Sequence, residues 1–247
     1  MCAIIRAQGM HYRQRQSQFS GKNEERCRRM DGRIKAVIFD MDGVLIDSEI
    51  VYMRRLKEFT REAAQREVPR KQLLKMVGAT SEGHWKAVRA YFPPEWTREQ
   101  FFEAYRVYGR SHPVSYQDIV FEDTIPTLKR LKAMGLRLAM ATSTPREKAM
   151  ETKELCGFGS FMEIVLCGDM VKESKPNPEI YLKCLEQLGL SGEQCIVVED
   201  SAYGIEAAKR AGLYVVARRE TRFSMNQEGA DCYINRLGEL PRLLENM

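Results

Sequence analysis

No stretch of the 247-residue sequence approaches the 18 or more apolar residues that a membrane-spanning helix needs, and the first ten residues hold no apolar run long enough for a secretory signal. A bilayer-spanning chain is therefore not expected. The seven cysteines (Cys2, Cys27, Cys156, Cys167, Cys184, Cys195 and Cys232) form no C-x-x-C pair and no zinc spacing with histidine, so neither a disulfide framework nor a zinc site is predicted. Reduced thiols in a cytoplasmic protein, most of them filling the core, fit best. There is no internal repeat. With 44% hydrophobic and 30% charged residues, the chain is not collagenous, coiled-coil or wholly disordered, and its length suits one large domain or a domain with a smaller insert.

Excess charge is also missing from most of the chain. Residues 1–33 carry eight basic and three acidic side chains, which accounts for the whole net charge of +5; the remainder balances 31 basic against 31 acidic residues. This leader, with Gln14, Gln16, Ser17, Gln18, Ser20 and Asn23, has little apolar periodicity and reads as a disordered basic extension over 1–32. No aromatic or basic stripe continues beyond it, so nucleic acid is not the expected partner. Met30, just ahead of the first apolar run, is a possible biological start.

What is present is an alternation of short β-branched runs with helical patterns. Strands are predicted at 34–39, 136–141, 164–166, 195–198 and 213–217, and helices at 124–134, 145–156, 178–188 and 201–211, each helix closed by a glycine at its end or just past it. Right-handed crossovers of this kind build a parallel sheet with helices on both faces and place ligands outside the carboxyl ends of the strands. The interval 47–120 breaks the rhythm with helices alone, at 50–66, 71–77, 82–91 and 98–109. The expected architecture is thus an α/β Rossmann-like core over 33–46 and 121–247 with an inserted all-helical cap over 47–120, standing over the sheet edge as a lid.

Chemistry-bearing residues collect at the strand ends. Asp40 and Asp42 leave the first strand together, a spacing that lets one carboxylate attack or bind metal while the other transfers protons. A calcium loop is excluded because the twelfth residue from Asp40 is Val51, not glutamate. Thr142 and Ser143 precede a helix that opens at Pro145, where hydroxyls and N–H groups favour a phosphate, although the same residues could simply cap the helix. Lys175 lies in the proline-bounded loop Lys175-Pro176-Asn177-Pro178, where a cation would offset the charge of a phosphate and a carboxylate; the alternative is a solvated lysine. Glu199 and Asp200 suit a hard cation such as Mg²⁺ or, alternatively, an N-cap, which Ser201 could provide instead.

These four segments, in this order, resemble the motifs of the haloacid dehalogenase superfamily: Asp40-Met41-Asp42-Gly43-Val44-Leu45, then Thr142, then Lys175 with Pro176-Asn177-Pro178, then Glu199-Asp200-Ser201 with Gly204. The resemblance covers 34–247 and is to the members with a helical cap between the first two motifs. It implies that Asp40 is the nucleophile that forms an aspartyl-phosphate and that Asp42 is general acid and then base. It further implies that Thr142 and the backbone of Ser143 hold the phosphate, that Lys175 steadies it, and that Mg²⁺ is bound by Asp40, the main-chain carbonyl of Asp42, and Asp200, with Glu199 direct or through water. An acid at Asp42 favours phosphate-ester cleavage over dehalogenation or phosphonate cleavage. Members similar to β-phosphoglucomutase carry a histidine and an arginine in the cap; the matching places here are near Tyr52 and Ser81, so the mutase reading loses support. Asp47-Ser48-Glu49 instead resembles the cap entry of small phosphatases acting on sugar or other metabolite phosphates, while Phe121-Glu122-Asp123 stands where relatives often have Pro-Gly. His84, Trp85 and Lys86 are candidates to face substrate, with packed core as the alternative for the tryptophan. The expected activity is a Mg²⁺-dependent phosphomonoesterase acting on a small phosphorylated metabolite, as a monomer or small homo-oligomer. The alternatives are a sugar phosphomutase and a non-catalytic binding protein of the same fold.

Overall fold

The structure is a computed structural model and describes residues 34–76, 81–113, 115–116, 119–222 and 226–247. The basic extension, Met30 and the segment Gly78-Ala79-Thr80 lie outside the described residues.

Six parallel strands form one sheet in the order β3-β2-β1-β4-β5-β6. They are β1 (Ala36–Phe39), β2 (Arg137–Ala141), β3 (Ile164–Leu166), β4 (Cys195–Glu199), β5 (Tyr214–Arg218) and β6 (Cys232–Ile234). Alternation along each strand sends successive side chains to opposite faces, and both faces are covered. Val37, Phe39, Leu138, Met140, Ile196 and Val198 join one apolar cluster; Ala36, Ile38, Ala139, Ala141, Cys195 and Val197 join the other. The helices that cover them are α5 (Thr124–Ala133), α6 (Arg146–Leu155), α7 (Glu179–Leu188), α8 (Ala202–Arg210) and α9 (Leu240–Glu245). The five expected strands and four core helices are all present, with ends shifted by one or two residues. β6 and α9 were not predicted: each is short, and Cys232-Tyr233-Ile234 becomes a strand by pairing with Val216, Ala217 and Arg218 of β5.

The regular elements of the insert, among its described residues, are helices: α1 (Ser48–Ala64), α2 (Arg70–Leu73), α3 (Ser81–Val88) and α4 (Arg98–Ser111), with 3₁₀ turns after α2 and α3. A capping box starts α4, where the Thr97 hydroxyl accepts from the Gln100 N–H and the Gln100 side chain accepts from the Thr97 N–H. These helices hold their own aromatic core, in which Phe101 sits at its centre with edge contacts to Phe59, Phe92 and Phe102. The chain leaves and re-enters the sheet domain side by side, since Ile46 bridges Val120 and the Asp47 N–H donates to the Ile119 carbonyl at 2.6 Å.

Strand register decides where the site sits. Phe39 is level with Met140 on one side and Val198 on the other. The next residues, Asp40, Ala141 and Glu199, therefore end flush on the same edge, at the point where β2 and β4 depart in opposite directions from β1.

Candidate active site

Lys175 reaches this edge from the loop after β3 and joins its three strand ends. Its Nζ donates to Asp40 Oδ1 at 2.6 Å, to the Ala141 carbonyl at 3.0 Å and to Glu199 Oε1 at 2.7 Å. Its side chain is only 5% exposed, so the solvated-lysine alternative is excluded. The Lys175–Pro176 peptide bond is cis. Burial opposes the ammonium charge, but Asp40 and Glu199 hold its pKa well above the usual lysine range.

The carboxylates divide the work of surrounding that ammonium. Burial, reinforced by the charges of Glu199 and Asp42, outweighs Lys175 and pushes Asp40 up to about 8. Glu199 is fully buried yet held below the usual glutamate value, because Lys175 and a set of hydrogen bonds offset its burial. Its Oε1 also accepts from the Tyr181 hydroxyl at 2.8 Å, and its Oε2 accepts from the N–H groups of Asp200 and Ser201 and from the Ser201 hydroxyl at 3.0 to 3.1 Å. Both oxygens are thus engaged, which makes Glu199 the anchor of Lys175. The helix cap falls to Ser201, whose hydroxyl accepts from the Gly204 N–H at 3.0 Å. Gly204 is required here: a Cβ on it would lie 1.7 Å from Glu199 Oε1.

Asp40, Glu199 and Asp200 each offer an oxygen within 4.8 Å of the others, and all three residues are buried. Asp200 is packed against Gly43, which closes the turn after β1 with φ +78°. A Cβ at Gly43 would stand 1.9 Å from Asp200 Oδ2, so this glycine is needed for both its backbone and its space. We expect Gly43→Ala to cost at least roughly 1–2 kcal/mol from the left-handed backbone alone and to displace Asp200 as well. Denaturant unfolding measures the loss; wild-type stability would contradict the packing described here.

Asp42, two residues along the same turn, is half-buried and accepts a hydrogen bond from the Thr144 hydroxyl at 2.9 Å. Thr142 is fully buried, and its hydroxyl accepts from the Thr144 N–H at 3.1 Å. Ser143 is exposed at the tip of that loop; its carbonyl is approached so closely by Gly168 that a Cβ there would sit at 2.2 Å. All seven predicted residues, Asp40, Asp42, Thr142, Ser143, Lys175, Glu199 and Asp200, therefore lie on this one edge.

Three contributors were not expected. Thr144 was visible in Thr142-Ser143-Thr144-Pro145, and its hydroxyl two residues beyond Thr142 was the available signal. Tyr181 occupies an apolar-face position of α7 and carried none. Gln227 donates to the Asp200 carbonyl at 2.7 Å from a loop distant in sequence. His84, Trp85 and Lys86 turn to the insert itself: the His84 ring bonds the Met76 carbonyl at 2.7 Å, Trp85 packs on Phe92 and Phe101, and Lys86 pairs with Glu82. At the re-entry, the Arg218 guanidinium lies 3.4 Å from the centre of the Phe121 ring and donates to the Gly43 carbonyl. Arg222 grips Asp47, the residue before α1.

The sequence family described as haloacid dehalogenase-like hydrolase matches residues 37–218. This chain belongs to that family. The hydrolase is 33% identical over 185 residues to the phosphorylated carbohydrates phosphatase of Thermotoga maritima, covering 73% of this chain and 82% of that protein. It is 28% identical over 214 residues to the phosphoglycolate phosphatase of Aquifex aeolicus, covering 86% and 98%. Among solved structures, a haloacid dehalogenase superfamily hydrolase of subfamily IA from Geobacter sulfurreducens superposes on the hydrolase with a TM-score of 0.66 at 25% identity, covering 87% and 98%. No helix among the described residues is long and apolar enough to cross a membrane. All five described cysteines are free thiols, and four of them are buried.

Proposed function

We infer that the hydrolase is a phosphomonoesterase acting on a small phosphorylated metabolite through an aspartyl-phosphate on Asp40. The observation that carries this reading is the Lys175 ammonium shared between Asp40 and Glu199, beside an Asp42 oriented by Thr144. In the first step the Asp40 carboxylate bonds to phosphorus as the ester oxygen departs, and Asp42 gives that oxygen its proton. In the second step Asp42 takes a proton from water as the water oxygen bonds to phosphorus, which frees Asp40 and releases inorganic phosphate. Thr142 holds the loop in which the Ser143 backbone meets the phosphate oxygens, and Lys175 offsets the negative charge gathering at the site. Relatives that are phosphatases of carbohydrate phosphates and of phosphoglycolate support the same reaction class.

The site also fits Mg²⁺. Three buried carboxylates gather within 4.8 Å of one another, two of them paired with Lys175, and their hard oxygen donors suit that cation. Asp40, the Asp42 main-chain carbonyl and Asp200 would hold it; Glu199, with both oxygens engaged, would act on it through charge or through water. When bound, Mg²⁺ supplies the positive charge that lets a carboxylate approach a phosphate dianion. The mutase reading is not favoured, since the cap places that it requires as histidine and arginine fall near Tyr52 and near Ser81, where neither group stands.

A panel of sugar phosphates, nucleotides and small phosphate esters tests the reading through inorganic phosphate release. Release is expected with Mg²⁺ and is expected to fall at least about 100-fold in chelator, the usual order for one lost charge-stabilising partner. Equal release in chelator would refute the metal site, and silence toward every ester would refute the activity.

A further inference from the structure

The chain around the end of β5 reaches back to the same edge. Glu199 is level with Ala217 in the pairing of β4 with β5, so the next residues, Asp200 and Arg218, leave the sheet side by side. Alternation from Tyr214 and Val216 puts Arg218 on the face that also carries Leu45, Ile46 and Ile119, where the insert departs and returns. Its side chain spans the end of β4 to the turn after β1, where Nη1 donates to the Gly43 carbonyl at 2.9 Å. The guanidinium rests on the Phe121 ring as it crosses.

Stability alone does not account for an arginine in this place. Its Nε is buried without an acceptor. Burial also pulls its pKa below the usual arginine range, against the charges of Asp123, Asp47 and Asp200. A buried donor left unpaired costs about as much as the hydrogen bond to Gly43 gains, so the side chain brings little net stabilisation.

Gln227 acts on the opposite segment. Its Nε2 donates to the Asp200 carbonyl and to the Arg218 carbonyl, both at 2.7 Å. The residue is itself held, since its Oε1 accepts from the Glu220 N–H at 3.2 Å and its carbonyl accepts from the Tyr233 hydroxyl at 2.8 Å. Arg218 and Gln227 thus grip the two segments named above as holders of Mg²⁺. The Gly43 carbonyl is one peptide beyond that of Asp42, so holding it fixes the direction of the Asp42 carbonyl. Asp200 lies so close to Gly43 that a Cβ has no room between them, and a small displacement of either segment changes the gap that a cation fills.

We propose that Arg218 and Gln227 are positioning residues that set the spacing between the Asp42-Gly43 turn and Asp200, and through it the affinity of the site for a divalent cation. The inference rests on the Mg²⁺ site of the proposed function. Groups that orient metal ligands commonly change metal affinity by about 10- to 100-fold.

The test reads cation binding without any ester, from the rise in Tm of the full-length protein across a Mg²⁺ titration, which reports the dissociation constant. Arg218→Met is expected to weaken Mg²⁺ by about 10- to 100-fold, with a Tm in chelator within about 4 °C of wild type. Gln227→Met is expected to weaken Mg²⁺ by about 10-fold with some loss of Tm as well. Arg218→Lys keeps a donor on a long chain and should recover part of the affinity; with Gln227→Met it carries the comparison if Arg218→Met does not fold. Wild-type Mg²⁺ affinity in the variants, whatever their Tm, overturns the positioning role. A wild-type Tm that Mg²⁺ leaves unmoved overturns it together with the metal site. Silence of the wild type toward every ester, with Mg²⁺ affinity lost in the variants, overturns the phosphatase reading alone.

Discussion

Asp40→Asn is expected to reduce phosphate release by about 10⁴-fold or more, the scale of losing a nucleophile, while leaving the fold intact. The structural half of this expectation follows from the environment of Asp40. Burial pushes its carboxyl up to about 8, whereas in the unfolded chain it would ionise near 3.8. A raised acid holds its proton longer in the folded state, so without metal its contribution to stability is present below pH 4 and is lost as the pH rises toward 8. An amide at position 40 has no such ionisation and still offers an oxygen to Lys175. In chelator above pH 8 the variant should therefore melt no lower than wild type. Thermal melts monitored by circular dichroism, together with phosphate release on the same preparation, separate the two effects. Residual turnover within about 10-fold of wild type would remove Asp40 from the role of nucleophile.

Lys175→Met should damage both the fold and the reaction. The substitution keeps a chain of similar length but strands the buried Glu199 carboxylate without its cation and takes a hydrogen-bond donor from Asp40. Breaking a buried ion pair by removing one partner costs about 3–5 kcal/mol. For a protein of this size that corresponds to a fall in Tm of roughly 6–20 °C. Turnover should fall by about 10²- to 10³-fold, the usual loss when one charge-stabilising group leaves a site. Adding Glu199→Gln removes the stranded charge and should recover part of the stability, so a double-mutant cycle reads the coupling directly. Additive losses would mean that Lys175 and Glu199 do not depend on each other as their 2.7 Å contact requires.

Much of this arrangement was legible before any coordinates. Val37-Ile38-Phe39 must be buried on both faces, and a run so apolar that ends in Asp40-Met41-Asp42-Gly43 can only be a strand meeting a loop. The same logic placed Thr142, Glu199 and Asp200 at strand ends, and proline and glycine at the helix limits marked the crossovers. The stop before Glu199 was one residue early because strand pairing with Ala217 carries β4 a step further than its apolar pattern. β6 escaped notice because Cys232-Tyr233-Ile234 is half-polar in setting and gains its strand form from the neighbouring β5 alone. The insert read correctly as helices, yet the use of its side chains did not: Trp85 and His84 carry obvious chemistry and serve packing, whereas Arg218 of the core looks like any arginine at a strand end.

The sequence by itself determined the alternation of strand and helix, the helical insert, and the seven polar residues at the strand ends, because these depend on local periodicity and on residue types at fixed offsets. Only the tertiary structure decided that Phe39, Met140 and Val198 are level, so that Asp40, Ala141 and Glu199 converge on one ammonium 135 residues further along the chain from Asp40. It also decided that Glu199 spends both oxygens on Lys175, Tyr181 and the start of α8, and that Arg218 reaches the Gly43 carbonyl with one buried donor left over. Register, burial and the supply of hydrogen-bond partners arise between segments that are remote in sequence, and no local pattern encodes them.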